Sequence, residues 1–298
     1  MEANGDLMRR AAFASLAVSV LLVAIKTFAY FASDSVSVLA SLADSALDLF
    51  TATLNIVAIR SALTPADAEH RFGHGKAEPL AGLTQGAFIA GSATFLIVQA
   101  VNRLIEPRPM EHGVAALAVM VVSIVCAVGL VLYQRRVVAR TGSVAIGADK
   151  MHYLGDVATN AGVIVAIALA WGFGWQTADP IIAMMVAAIL IWSAWSVFRQ
   201  SYDQLMDREL PDADREKIKT IVMRHAEVRS LHDLRTRAAG IATFIQLHIE
   251  LDPAMSLTRS HEVSDEVEHD LCAAFPNAEV IIHQDPEGLE RPAALATS

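Results

Sequence analysis

Two cysteines in 298 residues, Cys126 and Cys272, lack any metal-ligand spacing. They read as small buried hydrophobes, and a thiolate zinc module is excluded. Aromatic residues make up only 6% and do not gather near acidic positions, so no lined cavity for an organic solute is visible. Charged residues are scarce too, at 18% against 54% hydrophobic, with a mean hydropathy of +0.42. That balance is too apolar for an ordinary soluble domain and indicates an integral membrane protein. Positive charge is short in the tail: the stretch from Asp207 onward carries a net charge of −8 out of −9 for the whole chain. An acidic domain suits cations and argues against nucleic acid. Gly73-x-Gly75-Lys76 lacks the following Ser or Thr and the preceding strand of a phosphate loop. His261-Glu262 opens like a zinc-protease helix, but Asp265 stands where the second His belongs. No long repeat or low-complexity segment is present.

What the chain does have is long apolar runs. A membrane span needs about 20 apolar residues, and six stretches qualify: 11–32, 36–61, 79–102, 113–134, 144–172 and 178–199. The first is too long for the apolar part of a signal peptide and no cleavage site follows it, so it reads as an uncleaved span. Short connections at 33–35 and 172–179 predict antiparallel hairpins, and Pro107, Pro109 and Gly113 punctuate the third loop. Basic residues mark the cytoplasmic side. Arg9 and Arg10, then Arg60, Arg71 and Lys76, then Arg135, Arg136, Arg140 and Lys150 all fall on one face, whereas the other offers Arg103 and Arg108. Both termini are therefore expected in the cytoplasm.

Two spans carry groups that do not belong in hydrocarbon: Asp44 and Asp48 in the second, His152 and Asp156 in the fifth. A charged side chain at the bilayer centre costs about 3 kcal/mol or more. Ser, Thr or Asn would serve helix packing more cheaply. Residues four apart lie about 40° apart around a helix, so each pair presents two ligands on one face. Two such helices facing each other make a cage of three carboxylates and one imidazole. That set suits Zn²⁺ first, with Cd²⁺, Fe²⁺ or Co²⁺ behind it, because Mg²⁺ and Ca²⁺ prefer all-oxygen cages. Three neighbouring acids cannot all stay ionised without a cation, so metal and protons compete for the same place.

Two further groupings stand out. Asp67, His70 and His74 lie in the loop 65–76, where a helix would align them but Gly73 and Gly75 oppose one; a solvated polar loop is the equal alternative. In the tail, 211–226 and 257–275 read as helices, and 229–238, 241–252 and 279–284 as strands, with a turn at Gly240. The order αββαβ predicts a small antiparallel sheet covered on one face by two helices. His283 and Asp285 share a strand face, and His232 and His248 lie on neighbouring strands, which together with His261 makes a metal site a better reading than isolated structural histidines.

The segments Ala43-Asp44-Ser45 through Asp48, Phe72-Gly73-His74-Gly75-Lys76-Ala77-Glu78 and Ala148-Asp149 through Asp156 resemble the cation diffusion facilitator family. Leu231-His232-Asp233-Leu234-Arg235-Thr236-Arg237 and Val280-Ile281-Ile282-His283-Gln284-Asp285-Pro286 extend the resemblance through the tail. It implies an α-helical membrane protein with six transmembrane helices at 1–206. A cytoplasmic α+β domain of metallochaperone, ferredoxin-like type would follow at 207–290, then a loose end at 291–298. It also implies a homodimer in the bacterial inner membrane that exchanges Zn²⁺, or Cd²⁺ or Fe²⁺, for protons by alternating access. The transport site would be Asp44, Asp48, His152 and Asp156, and a loop site Asp67, His70 and His74. A tail site would use His232, His248, His261, His283 and Asp285, with charge interlocks from Lys76 and Asp207 at the dimer interface. The rivals are a proton-coupled exporter of organic solutes, a membrane metal receptor that signals without transport and, weakest, an enzyme.

Overall fold

The computed structural model describes residues 2–33, 36–106, 114–175 and 177–288. The loop positions Pro107, Arg108, Pro109 and Gly113 and the expected loose end at 291–298 lie outside these. The chain divides into two compact units, Glu2–Tyr202 and the segment from Asp203 onward.

The first unit is helical: α1 (Glu2–Ser33), α2 (Val36–Ala62), α3 (Ala77–Ile105), α4 (Val114–Thr141), α5 (Val144–Phe173) and α6 (Ala178–Leu205). Among the described residues, six helices are long and apolar enough to cross a membrane. The helices run past the apolar runs because intrahelical hydrogen bonds satisfy the backbone in water as well as in lipid, so polarity does not by itself end them. Their ends follow local chemistry. Ser143 caps α5 by accepting from Ile146 N, and Gly174 closes it at φ +67°. Pro79 and Pro180 each sit in a first turn, where a missing N–H breaks no helical bond.

The polarity of the bundle is reversed from that of a soluble protein. Phe28, Phe31, Trp171, Phe173, Trp192 and Trp195 face outward, as expected against acyl chains. Ser15, Ser19, Asn55, Gln85, Gln134 and Asp149 are buried. Small residues permit close approach. A Cβ on Gly155 would lie 2.5 Å from Leu190 Cδ2, which brings α5 against α6, and one on Gly82 would lie 2.3 Å from Ser201 Oγ, which brings α3 against α6. Tyr153 on α5 lies 2.7 Å from Ser19 Oγ on α1 and packs with Ala127 and Leu130 of α4.

In the second unit come α7 (Asp212–Val222), β1 (Ser230–Ala239), β2 (Ala242–Leu251), α8 (Leu257–Ala274) and β3 (Ala278–Pro286). Asp212 and Asp214 open α7 and Lys219 closes it, which complements the helix dipole. β1 and β2 form a hairpin around Gly240, at φ +61°. Ile245, Leu247, Ile249 and Leu251 of β2 pack on Ile218 and Val222 of α7 and on Val263, Val267 and Leu271 of α8. Both helices therefore cover one face. The sheet is mixed, however, where an antiparallel one was expected: β3 runs parallel to β2, in the order β1-β2-β3. The intervening helix α8 is the cause, since a crossover returns the chain in the direction it left.

Candidate metal centres

The intramembrane centre joins α2 and α5. Asp48 Oδ1 lies 3.0 Å from His152 Nε2, and both side chains are about nine-tenths buried. Ligand atoms of Asp48, His152 and Asp156 all lie within 4.8 Å of one another. The i, i+4 spacing on α5 and the facing turn of α2 account for this. Asp44, one turn earlier on α2, is exposed and stands outside that close group, although it remains within electrostatic reach of Asp48 and His152.

The sequence reading gave two neighbours no role. Lys26 on α1 is 4% exposed, with Nζ 2.6 Å from Ser45 Oγ and 3.1 Å from Ser41 O on α2. It is the lone charged residue between 11 and 32, and that isolation was the available signal. Asp149, one turn before His152, accepts from Gln85 Nε2 at 3.1 Å and Gln134 Nε2 at 2.6 Å. It pins α3, α4 and α5 together beside the centre.

The loop centre forms without the helix that would have aligned it. Asp67 Oδ1 accepts from Glu69 N at 2.9 Å and His70 N at 2.6 Å, and Gly73 takes φ +74°. This Asx turn puts His70 Nδ1 3.4 Å from Oδ1 and His74 Nε2 3.5 Å from Oδ2 of the same carboxylate. The His70 N–H, helped by that of Glu69 and by both imidazoles, holds Asp67 below its usual carboxylate range against the pull of desolvation.

In the tail, the ladder makes a row. His232 pairs with His248, and His248 with His283, across three strands. The row lies on the face away from α7 and α8, because the alternate residues Leu247 and Ile249 fill the core. Asp285, two residues beyond His283, reaches back under it. His248 Nδ1 is 2.8 Å and His232 Nε2 3.3 Å from Asp285 Oδ2, and His283 Nε2 is 3.3 Å from Oδ1. Partial burial raises the Asp285 pKa, but the His248 hydrogen bond and the three imidazoles outweigh it and keep the carboxyl below its usual range. A bulge between His232 and Arg235, with Asp233 at φ +46°, turns both Leu231 and Leu234 to the core while leaving His232 on the outer face. His261 is not part of this group: it is exposed on α8, 3.5 Å from Asp265.

Comparisons with known proteins identify the family. The family described as "Cation efflux transmembrane domain" matches residues 12–206, and "Cation efflux protein, cytoplasmic domain" matches 210–287. The cation-efflux pump FieF of Escherichia fergusonii is 43% identical over 285 residues, covering 96% of this chain and 95% of that protein. FieF of Salmonella newport is 43% identical over 282 residues, covering 95% and 94%. Among solved structures, the metal-bound C-terminal domain of the CzcD transporter from Thermotoga maritima is 27% identical at a TM-score of 0.26, covering 27% of this chain and all of that one. CzrB in its zinc form is 31% identical at 0.27, covering 28% and 98%. Six membrane helices followed by a cytoplasmic α+β domain define a multi-pass cation transporter. The chain belongs to the cation diffusion facilitator family of cation-efflux pumps, with a tail of the dimerisation type. Its relatives are named as pumps, not as enzymes.

Proposed function

We propose that this pump exports Zn²⁺, with Cd²⁺ and Fe²⁺ the next candidates, from cytoplasm to the far side of the bacterial inner membrane, driven by protons flowing inward. The observation that carries the reading is the meeting of Asp48, His152 and Asp156 inside two membrane helices. Asp44 would complete the cage by turning inward from the next turn of α2. An imidazole and carboxylates near 2 Å fit tetrahedral zinc. An empty cage of acids in a low dielectric takes up protons, and an arriving metal expels them, so one pocket alternates between two cargoes. Both termini lie in the cytoplasm on this reading, since the basic residues cluster on that side.

Within one chain the tail supplies His232, His248, His283 and Asp285 to one centre, and the loop supplies Asp67, His70 and His74 to another. His261 would reach the tail centre only from a second subunit. Bound metal would then stabilise the homodimer and let the cytoplasmic metal level bias transport. The test is zinc flux into proteoliposomes under an imposed pH gradient. Uptake should follow the gradient in the wild type and vanish in Asp48→Ala. Replacing His232, His248 and Asp285 should shift the concentration dependence, and an unchanged curve would remove the regulatory role.

A further inference from the structure

Lys26 presents a physical problem that its neighbours solve. An ammonium at bilayer depth is costly unless an opposite charge offsets it. Its direct partners, Ser45 Oγ and Ser41 O, carry none. The opposite charges at hand are Asp44 and Asp48, one and three residues along α2 from the Ser45 that it holds, and Asp156, which has a ligand atom within 4.8 Å of one on Asp48. The tether is specific in place, because Ser45 lies on α2 between Asp44 and Asp48 and is fully buried. A Leu or Met would fill the same space in α1 without the penalty, so packing does not explain a lysine here.

Charge balance does explain it. Three ionised carboxylates exceed a divalent cation by one negative charge, and one ammonium removes that excess. We propose that Lys26, held on Ser45 and Ser41, is the fixed countercharge of the intramembrane centre: it makes the metal-loaded cage neutral and keeps metal affinity low enough for release. This rests on the reading that Asp44, Asp48 and Asp156 hold the transported ion. Neutrality matters because a loaded site that changes its exposure moves within a low dielectric, where any net charge is expensive. Lys26 is thus a positioning residue that acts through the field at the metal and is not itself a ligand.

The test compares Lys26→Gln, which keeps a hydrogen bond to Ser45 without charge, with Lys26→Arg, which keeps the charge. Zn²⁺ is titrated calorimetrically into the full-length protein, taking the component absent from Asp48→Ala, and flux is measured in proteoliposomes. Lys26→Gln should bind zinc about tenfold tighter or more, lower the KM for flux and lower kcat, while Lys26→Arg stays near wild type. Lys26→Met should match Lys26→Gln. As a separate arm, Ser45→Ala lets the ammonium lean toward the carboxylates and should weaken zinc binding several-fold even if the uncharged variants fail to fold. Wild-type affinity and turnover in Lys26→Gln, equal defects in Lys26→Arg and Lys26→Gln, or unchanged affinity in Ser45→Ala would each overturn the countercharge role. Should Asp48→Ala bind like the wild type, the intramembrane centre itself is misassigned and the earlier reading fails first.

Discussion

The membrane helices and the cytoplasmic tail both gather histidine with aspartate, but they do so at opposite costs. In the bundle, Asp48 and His152 are buried among apolar helices. An empty centre there cannot leave its acids bare, so something positive must always occupy it. In the tail, His248, His283 and Asp285 sit on an open sheet face within reach of water, and an empty site costs little. On the proposed function, the first arrangement would oblige exchange and the second permit simple binding. The same chemistry would then serve transport in one place and sensing in the other because of the solvent around it.

The largest expected difference between the two comes from Asp48→Ala. It should reduce zinc flux at least a hundredfold in vesicles while leaving zinc binding by the tail intact, and parallel loss of both would show that the regions are not independent. Next is Asp285→Ala, which removes the carboxylate shared by His232, His248 and His283. Zinc affinity of the tail should drop by about 10–100-fold with basal flux retained, as read by titration and transport on the same preparation. Acidification sharpens the contrast. Asp285 is held below its ordinary range, so its contribution to tail stability persists as pH falls and disappears only below the usual carboxylate value. Asp285 should therefore stay an ionised ligand as pH falls toward the usual carboxylate value, and a tail whose stability drops above that value through protonation of Asp285 would refute this. Smaller effects test packing. Leu271→Ala, in the tail core, should cost about 2–5 kcal/mol of tail stability in denaturant melts. Gly155→Ala, which pushes Leu190 aside, should cost about 1–3 kcal/mol in the bundle with no change in tail unfolding.

What could be read from the linear chain divides along the same line. Ligand pairs four apart in apolar runs were visible because hydrocarbon makes any charge conspicuous and a helix fixes its own periodicity. Asp44 shows the limit: spacing placed it on the ligand face of α2 but could not say that it stands apart from the close group. Lys26 was conspicuous by its isolation but went unread, since its role follows only from Ser41 and Ser45 on the helix opposite. In the loop, the three ligands converge through an Asx turn in place of a helix, as the two glycines hinted. In the tail, alternation located the strands and put His283 with Asp285, whereas the parallel direction of β3 and the bulge at Asp233 depend on the crossover and on core packing. His261 was grouped by residue type and by the family resemblance, and within one chain α8 holds it beside Asp265, away from the other three histidines.

The central claim is that one buried pocket is held alternately by protons and by a divalent metal. Calorimetric zinc titrations in buffers of different ionisation enthalpy count the protons released as metal binds. Wild type should release protons that Asp48→Ala does not, over and above those from the tail. Equal release from both proteins would contradict the exchange.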